Sequence, residues 1–247
     1  DERFEDDPAP VERAATVSRQ IEGSFRQEGC VYTVDGDERR ADYEPTVATD
    51  ICGLHRGPDG DIYGTTIISM HVFRYDPGRR HLQDLGRVGW GGGEVYDVIT
   101  CDDKVYMGSY GGGYFAAYDP ARPWNPMPEH GGEHEDANPR NFGQLGQRMN
   151  RPFEYTVGPD GRIYIACRAN YHVSGGGLAV FDPRTEEKTV HRDEDQSVQS
   201  VASDDSWVYC GTSIRGGRGC LETTTEARLF MFSPTENRRV FECIPQW

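Results

Sequence analysis

The sequence predicts an all-β protein, a β-propeller of four-stranded antiparallel blades. Three observations carry that prediction. One hairpin grammar repeats four times, a second strand marker follows each copy, and glycine is abundant (30 of 247 residues) without any long amphipathic helical pattern.

The hairpin grammar is an Asp-Gly or Asp-Asp turn followed by an aliphatic-Tyr pair. The four copies are Asp59-Gly60-Asp61-Ile62-Tyr63, Asp102-Asp103-Lys104-Val105-Tyr106, Asp160-Gly161-Arg162-Ile163-Tyr164 and Asp204-Asp205-Ser206-Trp207-Val208-Tyr209. Each follows an apolar run, at 51–54, 95–100, 153–157 and 198–202, so each reads as a tight hairpin joining a first strand to a second. A third strand then ends in Asp-Pro or Ser-Pro, at 72–77, 114–120, 178–183 and 229–234. Proline there stops ladder pairing and starts a turn. A fourth strand returns at 81–85, 189–191 and 239–244, whereas the copy around Tyr106 shows no clear fourth strand. An earlier half-copy is visible, because 31–40 aligns with 72–81. About five blades are therefore detectable in a single domain over 1–247. The segment 1–30 is weakly defined, supplying either two strands or a short helix near 11–21, and 121–151 is read as a long inter-blade loop.

Strand direction alternates within a blade, so turns joining first to second and third to fourth strands share one face of the disc. Second-to-third loops and inter-blade links share the other. The first face receives short turns, and the second receives long, variable segments, which in a compact repeat protein are the functional ones. That second face collects glycine clusters at 91–93, 111–113, 175–177 and 216–217, which would let backbone approach a ligand or form tight bends at a crowded rim. It also collects His71, Trp90, Tyr110, Asn150, Arg151, Arg168, Asn170, Tyr171, His172, Arg215 and Arg218.

Charge narrows the partners. Formal net charge is −15 at pH 7, from 26 Lys and Arg against 41 Asp and Glu. That opposes binding to nucleic acid or an anionic membrane. A local basic floor inside a negative molecule instead suits an acidic ligand. Seven cysteines leave one unpaired, with Cys210 and Cys220 as the best candidates for a bridge and Cys52, Cys101, Cys167 and Cys210 as small buried hydrophobes. His130 and His134 have metal-ligand spacing only on a helix, and they fall in a predicted loop, so no metal site is expected. Neither a phosphate loop nor a dinucleotide fingerprint nor a Gly-x-Ser-x-Gly elbow occurs, so no cofactor is expected. Asp1 carries no signal-peptide pattern after it, and the expectation leans to a secreted protein.

One chemistry needs Arg, Tyr and His together: β-elimination at a uronic acid glycoside. A cation neutralises the sugar carboxylate, a base removes the adjacent proton, and an acid protonates the leaving oxygen. Arg168, Arg151 and Asn150 would hold the carboxylate. His172 and His71 are base candidates, and Tyr110 or Tyr171 the acid. Trp90, Asn170 and Arg215 complete the expected binding set.

The stretch Asn150-Arg151-Pro152-Phe153-Glu154-Tyr155, then 158–164, then Arg168-Ala169-Asn170-Tyr171-His172 and 175–183 resembles propeller-fold polysaccharide lyases. The nearest are the L-rhamnose-α-1,4-D-glucuronate lyases, and more loosely the ulvan lyases. The resemblance implies a seven-bladed architecture, a His/Tyr/Arg site on one face, and an acidic oligo- or polysaccharide as partner. The leading expectation is a polysaccharide lyase. The competing class is a non-catalytic scaffold binding glycan or protein through the same Gly- and aromatic-rich face, and a metal- or quinone-dependent propeller enzyme is the third. An oligomer or a partner chain completing the propeller is also expected.

Overall fold

A computed structural model gives the architecture. It describes residues 50–67, 70–88, 93–126 and 136–246, together with the backbone of three strands before residue 42. Trp90, the pair His130 and His134, and the helix considered near 11–21, apart from Ile21 itself, lie outside the described residues. Contacts divide the chain into two compact units, 1–48 and 49–247.

In the first unit, β1 (Ile21–Arg26), β2 (Gly29–Val34) and β3 (Asp37–Ala41) form an antiparallel sheet in that order. The pairs Val31↔Arg40 and Val34↔Asp37 make β2 and β3 a hairpin, as the alignment of the half-copy predicts.

The second unit holds four sheets of four antiparallel strands, each in simple meander order. Sheet I is β4 (Ile51–Arg56), β5 (Ile62–Thr66), β6 (His71–Asp76) and β7 (His81–Arg87). Sheet II is β8 (Val95–Cys101), β9 (Lys104–Ser109), β10 (Tyr114–Tyr118) and β11 (Arg140–Gln144). Sheet III is β12 (Met149–Val157), β13 (Ile163–Ala169), β14 (Gly176–Phe181) and β15 (Lys188–Asp193). Sheet IV is β16 (Ser197–Ser203), β17 (Val208–Ser213), β18 (Leu229–Ser233) and β19 (Arg238–Cys243).

The repeated turn has a physical cause. The Asp carboxylate folds back on its own turn and also receives the Tyr hydroxyl. Asp59 accepts Tyr63 Oη at 2.8 Å, Asp160 accepts Tyr164 Oη at 3.0 Å, and Asp204 accepts Tyr209 Oη at 2.6 Å. Gly57 and Gly158 must be glycine, since a Cβ would meet the rings of Tyr63 and Tyr164 at 2.3 and 2.4 Å. The ring then turns inward: Tyr63, Tyr106 and Tyr164 lie at 0, 2 and 0% exposure.

Those tyrosines mark the face by which each sheet packs on the next. Tyr63 and Val72 of sheet I pack on Val98, Val105, Met107 and Ala116 of sheet II. Tyr106, Phe115 and Ala117 of sheet II pack on sheet III through Ile163, Ile165 and Phe181. Tyr164, Leu178 and Val180 of sheet III pack on sheet IV through Val208, Phe230 and Phe232. Each such fully buried side chain contributes roughly 1.5–3 kcal/mol.

Two sequence expectations are corrected. Sheet II does have a fourth strand, β11, so 121–151 is not an inter-blade loop. Most of it joins the third strand to the fourth and therefore belongs to the opposite face. Asn138 organises this connection by donating through Nδ2 to the carbonyls of Asp119, Arg122 and Pro123 at 3.0–3.1 Å. The strand escaped notice because it is polar except for Phe142. The second correction is the bridge: Cys210 and Cys220 are free thiols, as are Cys52, Cys101, Cys167 and Cys243. Cys101, Cys167 and Cys210 are buried as small hydrophobes, whereas Cys52, expected among them, is half-buried.

Candidate functional site

All four first strands carry a β-bulge at the same place. Two residues oppose one at Cys52-Gly53 facing Thr65, Tyr96-Asp97 facing Gly108, Phe153-Glu154 facing Ala166, and Gln199-Ser200 facing Gly211. A bulge leaves one residue unpaired and re-aims its side chain. Tyr96, Phe153 and Gln199 are the leading bulge residues of three successive sheets, and all three join one cluster with Arg151 and Arg168.

Arg151 is its centre. Its guanidinium lies over the rings of Tyr110 (4.2 Å) and Tyr171 (4.9 Å), and its Nη2 donates to Tyr171 Oη at 2.8 Å. Tyr110 and Tyr171 are joined by a short hydroxyl–hydroxyl hydrogen bond. Arg151 also bonds Tyr96, and Glu94 faces it as a charge. Arg168 stacks over Phe153 at 5.0 Å and donates to Gln199 Oε1 at 3.1 Å. Arg151 Nη1, Arg168 Nε and Glu94 Oε2 are buried atoms with no hydrogen-bond partner among the described residues.

The electrostatics are asymmetric. Burial pushes the Tyr110 hydroxyl up to about 12, with its hydrogen bond to Tyr171 adding to that. Tyr171 moves down, because of its hydrogen bonds with Tyr110 and then with Arg151. Burial opposes the Arg151 charge, but hydrogen bonds to Tyr96 and Tyr171 outweigh burial and raise its pKa. Burial, then the neighbouring Arg151 charge, lowers that of Arg168. Burial raises Glu94, against the pull of Arg151 and Tyr96.

Of the residues singled out from sequence, Tyr110, Tyr171, Arg151 and Arg168 come together, and Arg215 adds its charge next to Arg168 while pairing loosely with Glu222 at 3.5 Å. Asn150 does not face the cluster as a free amide. It is buried and accepts the Gly112 N–H at 2.6 Å, which fixes the loop beside Tyr110. Asn170 contributes backbone, its N–H donating to Arg148 O at 3.0 Å. His71 lies on β6, two strands outward from the first strand, and its Nδ1 pairs with Asp84 at 2.8 Å. His172 has φ 59° and sits against Gly219, where a Cβ would meet its ring at 2.7 Å. Neither histidine is hydrogen-bonded to the tyrosine pair.

The glycine clusters divide between their two expected roles. A Cβ on Gly217 would stand 1.6 Å from Asn170 O, and one on Gly175 would stand 2.0 Å from Asp193 O. Gly217 packs the loops of sheets III and IV against each other, and Gly175 packs against the end of β15 within sheet III. Gly111 alone in its cluster has open space around it, with nothing within 4 Å of a Cβ there. Sequence reasoning missed Glu94, Tyr96 and Gln199. The signal was a spacing of three, not two, between the buried valines 95 and 98, and again between 198 and 201. That slip marks a bulge.

No family model matches the chain, and no curated protein sequence matches it. Solved structures do. Hydrazine synthase of Kuenenia stuttgartiensis matches with a TM-score of 0.57 at 11% identity, over 86% of this chain and 60% of that one. Virginiamycin B lyase of Staphylococcus aureus matches with 0.56 at 11%, over 90% and 64%. A chain of the mitotic checkpoint complex matches with 0.54 at 11%, over 90% and 62%. The protein is a β-propeller, as these neighbours are. The likeness carries the fold alone, and the chain spans under two thirds of each matched chain.

Proposed function

We propose that the Arg151 cluster seats the carboxylate of an acidic glycan and that the tyrosine pair cleaves the glycan by β-elimination. The observation that supports this is one guanidinium, Arg151, stacked over two tyrosines whose hydroxyls are hydrogen-bonded to each other. In this reading the neighbouring guanidinium charges of Arg151 and Arg168 neutralise the uronate carboxylate, which acidifies the C5–H bond. Tyr171, as phenolate, takes the C5 proton. The C5–H electron pair forms the C4=C5 double bond, the C4–O4 bond breaks, and Tyr110 gives its proton to the leaving oxygen. The proton from C5 then returns from Tyr171 to Tyr110 through their hydrogen bond, and the cycle closes. The base differs from the histidines expected from sequence, because His71 is engaged by Asp84 and His172 is turned onto Gly219. The resemblance to rhamnose–glucuronate lyases agrees with this substrate class. One structure of the same fold is named a lyase, but at 11% identity the chemistry must rest on these residues.

The second reading is a scaffold that binds acidic glycan without turnover. It is favoured by the placement of His71 and His172, neither of which is hydrogen-bonded to the tyrosine pair. Ultraviolet absorbance during incubation with a panel of uronic-acid glycans separates the two. A rising signal from the conjugated double bond, lost in Tyr171→Phe, supports the lyase. A flat trace with glycan binding retained leaves the scaffold.

A further inference from the structure

Three sheet-to-sheet contacts within 49–247 use equivalent positions, and that equivalence extends to a fourth surface. The forward face of sheet III buries Tyr164, Ala166, Leu178 and Val180, at 0, 0, 0 and 2% exposure. By strand register, their equivalents on sheet IV are Tyr209, Gly211, Leu229 and Met231. Phe241 lies opposite Met231 on the same face. The residue types are those of a packed face, yet Leu229 is 39% exposed and Phe241 51%. At the other end, the rear face of sheet I carries Leu54, Ile62, Phe73 and Tyr75, aligned with positions that are buried in sheets II and III, and Leu82 lies opposite Tyr75 on the same face. There Leu54 and Leu82 are both 61% exposed.

We propose that these two faces bind each other between two copies of this chain. The forward face of sheet IV in one copy seats on the rear face of sheet I in its partner, and the reverse contact closes the pair. The chemistry is that of the three contacts already present: a forward face led by the repeated Tyr meets a rear face of aliphatic and aromatic side chains. Size favours closure over a chain of copies. A four-stranded face is about 20 Å by 19 Å. One contact then buries roughly 800 Å² over both sides and two bury roughly 1,600 Å², the size of a stable interface. A closed pair also removes both exposed apolar faces at once.

The test is solution mass by light scattering on the full chain, with Leu229→Arg on one face and Leu82→Glu on the other. The wild type is expected at twice 27.7 kDa. Each variant alone is expected to be monomeric with an unchanged circular dichroism spectrum. An equimolar mixture is expected to return to the double mass, because a mixed pair keeps one native contact and gains an Arg–Glu contact at the other. A monomeric wild type overturns the proposal, and if Leu229→Arg then lowers the melting temperature, the face is covered within the chain. A dimer indifferent to both substitutions, or growth beyond two copies, also overturns it.

Discussion

Tyr171 makes two hydrogen bonds through one phenolic oxygen, sharing one with Tyr110 and accepting one from Arg151, and this sets what a single residue can do here. A phenol so placed ionises below its ordinary 10.0, so turnover should rise with pH through a midpoint under that value. Tyr171→Phe should lower kcat/KM by roughly 10²–10⁴-fold without loss of fold. Arg151→Lys keeps the charge but loses the flat stacking on two rings, and should move the pH midpoint upward. A pH–rate profile of the three proteins checks both statements. Asp97 offers a separate test. Burial pushes its carboxyl up to about 6, despite N–H donors from Val98 and Tyr155. The native state therefore holds the proton more tightly than the unfolded chain does, and stability should fall as pH rises from about 4 through 6. Asp97→Asn keeps an acceptor for the donors and removes the charge. Its unfolding free energy from urea titration should exceed the wild type's at pH 7.5, by up to about 3 kcal/mol, and match it near pH 4. Asp97 also shows why residue-level detail was hard to read: a single Asp in an apolar run gives no sign that it reaches the backbone of the next sheet.

At the scale of the element, the four first strands bulge in register, and the second bulge residue of sheets II and III serves the next sheet. Asp97 accepts from the Tyr155 N–H and Glu154 from the Val201 N–H at 2.9 Å. These are equivalent positions, since Tyr155 faces Ile165 and Val201 faces Cys210, each just past its repeat tyrosine. The hairpins and third strands were legible because each is bounded by a turn with its own chemistry. The bulges and β11 were not: a bulge shows only as a slipped alternation, and β11 has one apolar residue to announce it. The loops between sheets III and IV give a matched pair of predictions. Gly217→Ala forces a Cβ to 1.6 Å from Asn170 O. It should cost several kcal/mol and displace Tyr171, two of whose neighbours pair with that loop. Gly111→Ala meets nothing within 4 Å and should leave the melting temperature unchanged. Thermal unfolding of the two variants reads the contrast directly.

For the whole molecule, the sequence revealed the architecture better than the site. Repetition multiplies weak signals, so four copies of one turn define a propeller, whereas convergence of Tyr110, Arg151 and Tyr171 depends on three separate segments meeting once. Tyr110 and Arg151 sit on neighbouring sheets, and no spacing along the chain encodes that. Net charge acts at this scale as well. The protein carries −15 overall around a basic cluster. Added salt should therefore speed association with a long polyanionic glycan by screening the general repulsion, while weakening capture of a short single uronate, which feels chiefly the arginines. Stopped-flow association rates against ionic strength distinguish the two. The central claim is that Arg151 and its tyrosines form a carboxylate seat, and it holds for lyase and scaffold alike. Calorimetric titration of glucuronate into the wild type, Arg151→Ala and His71→Ala tests it most directly. The account predicts saturable binding in the wild type and in His71→Ala, and loss of at least tenfold in affinity in Arg151→Ala, about 1.4 kcal/mol. Binding that survives Arg151→Ala undiminished, or no binding of any uronate to the folded wild type, would contradict it.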